Sequence, residues 1–189
     1  MNYKDLFKRI GLLISDPEKA WIEIYKEHAY RDVSVSFVYP LIGLCGLSVF
    51  IGTFFGNTSG PLVFQIALMK CGGVFISLFA GFFLAAYIVQ LLNKKILCRE
   101  ESPALSQCYV GYSMVVVFIL LFVSGLLNIS ILYWILMFYT VYVAYVGARV
   151  LLRVEDSKIT VYSLAVSFTI ICCPIVISFL FDKLSVILN

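Results

Sequence analysis

The chain predicts an all-α fold: a polytopic membrane bundle of five transmembrane helices, preceded by two short cytoplasmic or interfacial amphipathic helices. Two observations carry that expectation. Of its 189 residues, 62% are hydrophobic and 13% charged, against about 45–50% apolar and ~25% charged in soluble domains. The apolar residues fall in five runs, at about residues 33–55, 71–92, 104–126, 129–152 and 159–181, each near the ~20 residues needed to cross a hydrocarbon core. Transmembrane β-strands are excluded, since they need only ~9–11 residues and alternate in polarity.

Residues 1–32 form a charged lead-in. Tyr3, Leu6, Phe7, Ile10, Leu13 and Ile14 fall on one stripe of a 3.6-residue helix, with Lys4, Asp5, Lys8 and Arg9 off it. Such a stripe suits either the membrane interface or packing on the bundle. At Ser15-Asp16-Pro17-Glu18 the helix restarts. Asp16 can cap the new helix with Pro17 in its first turn, or Ser15 can cap it with Glu18 three residues on. This second helix carries Trp21, Ile24, Tyr25 and His28 on one face. Lys4, Lys8 and Arg9 outnumber Asp5 in the first helix, which suits anionic lipid. Lys19, Lys26 and Arg31 are outnumbered in residues 15–32 by Asp16, Glu18, Glu23, Glu27 and Asp32, so the second helix suits protein or water. No small-x-small cleavage site follows an apolar core in this region, so the run from Val33 is expected to be retained as the first inserted segment.

Between the first two runs, residues 61–69 are read as a short interfacial piece, with Lys70 snorkelling at the edge of span two. Lys and Arg set the orientation. Twelve of the 14 lie in the N-terminal tail, the second connection (Lys94, Lys95, Arg99) and the fourth (Arg149, Arg153, Lys158), leaving Lys70 and Lys183 on the other side. The N-terminus is therefore expected in the cytoplasm and the C-terminus outside.

Small residues at four-residue spacing let transmembrane helices approach closely. Ser48, Gly52 and Gly56 form such a ridge on span one, Gly73, Ser77, Gly81 and Ala85 on span two, and Ala144 and Ala148 a shorter one on span four. The first two ridges are expected to face each other or another close neighbour. Asn57-Thr58-Ser59 and Asn128-Ile129-Ser130 match the glycosylation triplet but read as turn chemistry. Tyr133-Trp134 reads as an interfacial belt.

No catalytic or metal constellation stands out, and no cofactor is expected. His28 is the sole histidine, and the six cysteines show no CxxC or Cys/His spacing. HExxH, GxSxG and Walker patterns are missing, and every Asp and Glu falls in tails or loops. Nucleic acid is not an expected partner, because there is no basic stripe with interleaved aromatics. The polar groups at depth are tyrosines: Tyr109 and Tyr112 on span three, Tyr139, Tyr142 and Tyr145 on span four. They read as inter-helix hydrogen-bonding groups or, with Lys70, as a lipid or solute site.

Asp16-Pro17-Glu18-Lys19-Ala20-Trp21 is similar to the "DPxxxW" signature of bacterial members of the Yip1 domain family of five-span membrane proteins. Tyr39-Pro40 at the start of span one, and Tyr142 to Arg153 (YVAYVGARVLLR) ahead of span five, add to the resemblance, which runs through nearly the whole chain in span order. Many relatives carry a proline in span three. This chain reads Gly111-Tyr112-Ser113-Met114-Val115 there, so no proline kink is expected. Eukaryotic relatives act in early secretory traffic and contact prenylated Rab-type GTPases; this lead-in is much shorter than theirs, and GTPase binding is not carried over. The resemblance implies a bacterial inner-membrane protein, or an ER/Golgi one if the source is eukaryotic. The functional expectation is a non-enzymatic scaffold or adaptor that docks a protein partner or a second copy, or organises membrane lipid, with Asp16, Pro17 and Trp21 in the docking segment. The rival is a small transporter, channel or lipid-handling protein using the tyrosines.

Overall fold

A computed structural model describes residues 3–27, 32–56, 62–127 and 130–187. His28, Asn57 and Asn128 lie outside them, as do the side-chain surroundings of Gly56, Tyr133 and Trp134. Among the described residues the chain is helical throughout its regular structure. Its α-helices are α1 (Tyr3–Ser15), α2 (Pro17–Lys26), α3 (Tyr39–Gly56), α4 (Val63–Ile96), α5 (Pro103–Ser113), α6 (Val115–Leu127), α7 (Ser130–Val150) and α8 (Asp156–Ile187). A π-helical turn, Ser34–Val38, leads into α3. There the Tyr39 N–H reaches back five residues to the Ser34 carbonyl. Pro40 has no N–H to continue an ordinary helical ladder, and the wider turn accommodates that loss.

The segments Ser34–Phe55, Val63–Ile96 and Asp156–Leu184 are long and apolar enough to cross a membrane, and the pair α5–α6 makes a fourth if taken as one broken span. α4 is continuous over 34 residues, so the separate interfacial piece expected at residues 61–69 does not form. No proline interrupts this stretch, and the Gly72-Gly73 pair is tolerated because the Phe181 ring packs on Gly73. α8 likewise runs through Pro174.

The third apolar run is bent by 42° at Met114, although it carries no proline. The two halves answer to different neighbours. Side chains of α5 are held by α1, α4 and α7 through polar contacts, and by α2 through ring contacts, described below. α6 is drawn onto α3, where a Cβ on Gly52 would lie 1.7 Å from the Gly125 carbonyl oxygen. At the break the Met114 N–H turns to the carbonyls of Val110 and Tyr112, and the buried Ser113 hydroxyl has no partner among the described residues.

The first two small-residue ridges meet other close neighbours rather than each other. Gly52 abuts Gly125 of α6, whereas Gly81 abuts Pro174 and Gly73 abuts Phe181, both on α8. Ser77 and Ala85 are buried on the same helix, and Ser48 is buried against Gly125. α3 and α4 also touch, through Gly46 and the ring of Phe75.

Candidate functional site

The lead-in folds as a helical hairpin against the bundle. Asp16 is the N-cap of α2: its carboxylate accepts the Lys19 N–H at 3.1 Å, and Pro17 occupies the first turn. Ser15 instead donates its hydroxyl back to the Gly11 carbonyl. This choice of cap fixes the phase of α2 and turns Pro17, Ala20, Trp21 and Ile24 into the core.

Trp21 is 0% exposed. Its indole N–H donates to the Val143 carbonyl at 3.1 Å, and its ring lies against Tyr109 (5.8 Å between centroids) and edge-on to Tyr112 (6.0 Å). The Trp21 ring fits because residue 147 is glycine: a Cβ there would come within 2.6 Å of the indole and 2.9 Å of Tyr109. Tyr109 in turn donates to the Ala144 carbonyl at 2.7 Å. The Asp16–Trp21 stretch and the stretch from Tyr142 to Arg153, 122 residues apart at the Trp21–Val143 bond, therefore meet in one buried contact.

Polar ties secure both ends of the hairpin. At its tip, Tyr139 of α7 donates to the Ile14 carbonyl at 2.7 Å, taking one of the orphan acceptors at the end of α1. At its base, Arg153 donates to the Tyr25 hydroxyl at 3.0 Å and lies over that ring. Arg153 adopts a left-handed backbone (φ 49°) just beyond α7, a position where glycine is usual. From Tyr139 to Val150, where α7 ends, the hairpin follows about 16 Å of α7 at ~1.5 Å per residue. Arg9 pairs with Glu27 across the two legs and donates to Tyr112 at 3.0 Å. Burial pushes the Arg9 guanidinium down, but the Tyr112 and Glu27 oxygens more than offset this and hold it above its ordinary value. Arg9 and Gly147 escape a reading that looks for apolar stripes and small-residue ridges.

A second buried polar cluster lies behind Tyr109. Asn93 of α4 accepts from Tyr162 of α8 and donates to Ser106 of α5 at 3.3 Å, and Tyr109 and Tyr162 stack at 6.2 Å. Asn93 sits beside Lys94-Lys95 and so reads as a span boundary, yet it is fully buried.

The tyrosines do not gather into one site. Tyr109 and Tyr112 are buried and bonded as above, Tyr139 reaches the lead-in, Tyr145 is half-buried and Tyr142 is exposed. Cavities lie elsewhere: an apolar one between α7 and α8, bordered by Phe138 and Phe168, and two at the far end of α4 and α8. Lys70 borders one of the latter, remote from the tyrosines.

Trp21 is thus consumed by the chain's own core and leaves no ring at the surface for a partner. The lead-in's outward face is formed by other residues: Phe7 is 58% exposed, Ile14 42% and Ile22 37%. On α1 the apolar stripe is shared. Leu6 and Leu13 are buried and Ile10 partly so, while Phe7 and Ile14 turn outward beside exposed Lys4 and Lys8.

A family model described as the Yip1 domain matches residues 10–178. Neither a curated protein nor a solved structure matches the chain.

Proposed function

The chain belongs to the Yip1 domain family of membrane proteins, and from that premise we propose that it is a non-enzymatic membrane scaffold working through the outward face of its clamped lead-in. In this reading α7 completes five crossings, the N-terminus lies in the cytoplasm and the C-terminus outside. Placing twelve of the 14 Lys and Arg in alternate connections supports that orientation.

The observation that carries the proposal is the division of the lead-in into a consumed face and an offered one. Trp21, Ile24, Leu6 and Leu13 hold it on the bundle. Phe7 and Ile14, flanked by Lys4 and Lys8, make the apolar-and-basic surface that an anionic lipid interface takes up. On α2, Ile22 stands exposed beside Glu18 and Lys26, a mixed surface suited to a protein. Tyr109, Tyr112 and Tyr139 already have hydrogen-bond partners within the chain, which supports a structural role for them rather than a transport path.

Photocrosslinkers placed separately at Phe7 and Ile22 in native membranes test this. Lipid adducts are expected from position 7 and a discrete protein adduct from position 22. Lipid adducts alone at both positions would overturn partner docking.

A further inference from the structure

Two cavities meet at the end of the bundle remote from the lead-in. One, of ≈ 440 Å³, lies among α3, α4 and α8 and is bordered by both Lys70 and Asp182. The other, of ≈ 330 Å³, lies among α4, α6 and α8 and has apolar walls including Val117, Leu121 and Ile175. Val74, Ser178 and Asp182 line both, so the two adjoin along one shared wall. Gly73 borders the first cavity, with Phe181 of α8 standing over it.

Lys70 and Asp182 share a level because α4 and α8 run antiparallel, with Gly73 opposite Phe181 and Gly81 opposite Pro174. Both side chains are exposed, and neither forms an ion pair among the described residues. The neighbouring Lys183 is turned onto the Phe179 ring, 5.6 Å from its centroid. The first cavity thus carries a positive and a negative group at its edge that do not pair with each other, and it adjoins a second, apolar cavity. A simple anion would be repelled by Asp182 and a simple cation by Lys70. An uncharged apolar molecule would leave both groups without a partner. The complement is a ligand with both signs of charge on an apolar tail.

We propose that these cavities bind a zwitterionic glycerophospholipid whose headgroup carries a phosphate and a primary ammonium. Lys70 takes the phosphate and Asp182 the ammonium, while an acyl chain lies along Val117, Leu121 and Ile175. This site is independent of the lead-in and of the scaffold reading.

The test is native mass spectrometry of the full chain in detergent, offered phosphatidylethanolamine, phosphatidylcholine and phosphatidylglycerol with identical acyl chains. Phosphatidylethanolamine should be retained roughly tenfold better than the other two, the scale of one charge-assisted hydrogen bond. Phosphatidylcholine has no ammonium N–H to donate, and phosphatidylglycerol has no ammonium. Asp182→Asn should bring phosphatidylethanolamine down to the phosphatidylcholine level, and Lys70→Gln should lower all three. Lys158→Gln, at the opposite end, should change nothing. Equal retention of the three lipids by the unaltered chain, a preference for phosphatidylethanolamine that survives Asp182→Asn, or unchanged retention of all three in Lys70→Gln would overturn the site.

Discussion

The two ends of this bundle are held together by different means. Around the lead-in, helices are joined by large aromatic rings and by side chains that donate to backbone carbonyls: Trp21 to Val143, Tyr109 to Ala144, Tyr139 to Ile14. Toward the other end, backbones come together with almost nothing between them, at Gly52 on Gly125 and Gly81 on Pro174. In lipid there is little hydrophobic drive for one span to leave the acyl chains for another, so close packing and hydrogen bonds must supply the association. The glycine contacts rely chiefly on packing, and the α3–α6 seam adds only a weak thiol donor, Cys45 to the Phe118 carbonyl at 3.1 Å. The aromatic end adds directed bonds and fastens a segment that would otherwise be free to leave. Loss of an aromatic anchor should therefore release a part, whereas loss of a glycine should disturb the assembly of whole spans.

Trp21→Ala tests the first half of that contrast and carries the largest expected effect. Removing a fully buried indole costs about 3–5 kcal/mol, and it leaves the Val143 carbonyl without its donor. The loss should appear as local opening of the hairpin. Limited proteolysis after Lys19 and Lys26 should accelerate strongly in Trp21→Ala, while cleavage in the exposed 97–102 connection keeps the rate of the unaltered chain. Equal acceleration at both places would mean that the two ends are one cooperative unit.

Gly52→Ala tests the second half, with an expected loss of about 1–3 kcal/mol from overpacking. The obstacle is a backbone carbonyl at 1.7 Å from the new Cβ, so no side chain can rotate away and α3 must separate from α6. Thermal unfolding in detergent should shift to lower temperature with the lead-in as protected from protease as before. Selective exposure of the lead-in in this variant would erase the distinction.

Much of the aromatic end was legible because its cues are local. The Asp16-Pro17 cap needs only four residues to recognise, and the Leu6–Ile10–Leu13 stripe shows in its spacing. Periodicity says that a face is apolar but not which neighbour covers it, so the stripe could not reveal that Phe7 and Ile14 turn away while Leu6 and Leu13 pack inward. Trp21 stood out by type, yet its burial depends on Gly147, more than a hundred residues later. The bend at Met114 has no local mark, because competing neighbours cause it. Asn93 was hidden by the two lysines that follow it: polar residues at the end of an apolar run look like an exit into water. The lipid cavity was half visible, as Lys70, while Asp182 became relevant only when α8 lay beside α4.

The smallest effect is expected at the Lys94–Glu100 pair, which belongs to neither mode of packing. Lys94 donates to Glu100 at 2.7 Å, and this bond, with the lysine's charge, holds the Glu100 carboxyl below its usual range. Because the folded-state value is depressed, the pair's contribution is present above the ordinary carboxylate range and is lost as pH falls through the lowered folded value. Both side chains are well exposed, at 68% and 79%, so water and salt screen most of the attraction. Glu100→Gln should accordingly lower the unfolding temperature only slightly at neutral pH, flatten the shallow acid-side slope, and leave the value below the lowered folded titration range unchanged. A large drop at neutral pH would show that the 97–102 connection bears load for the bundle. The contrast between an aromatic end and a glycine end would then need a third region, one held by charge.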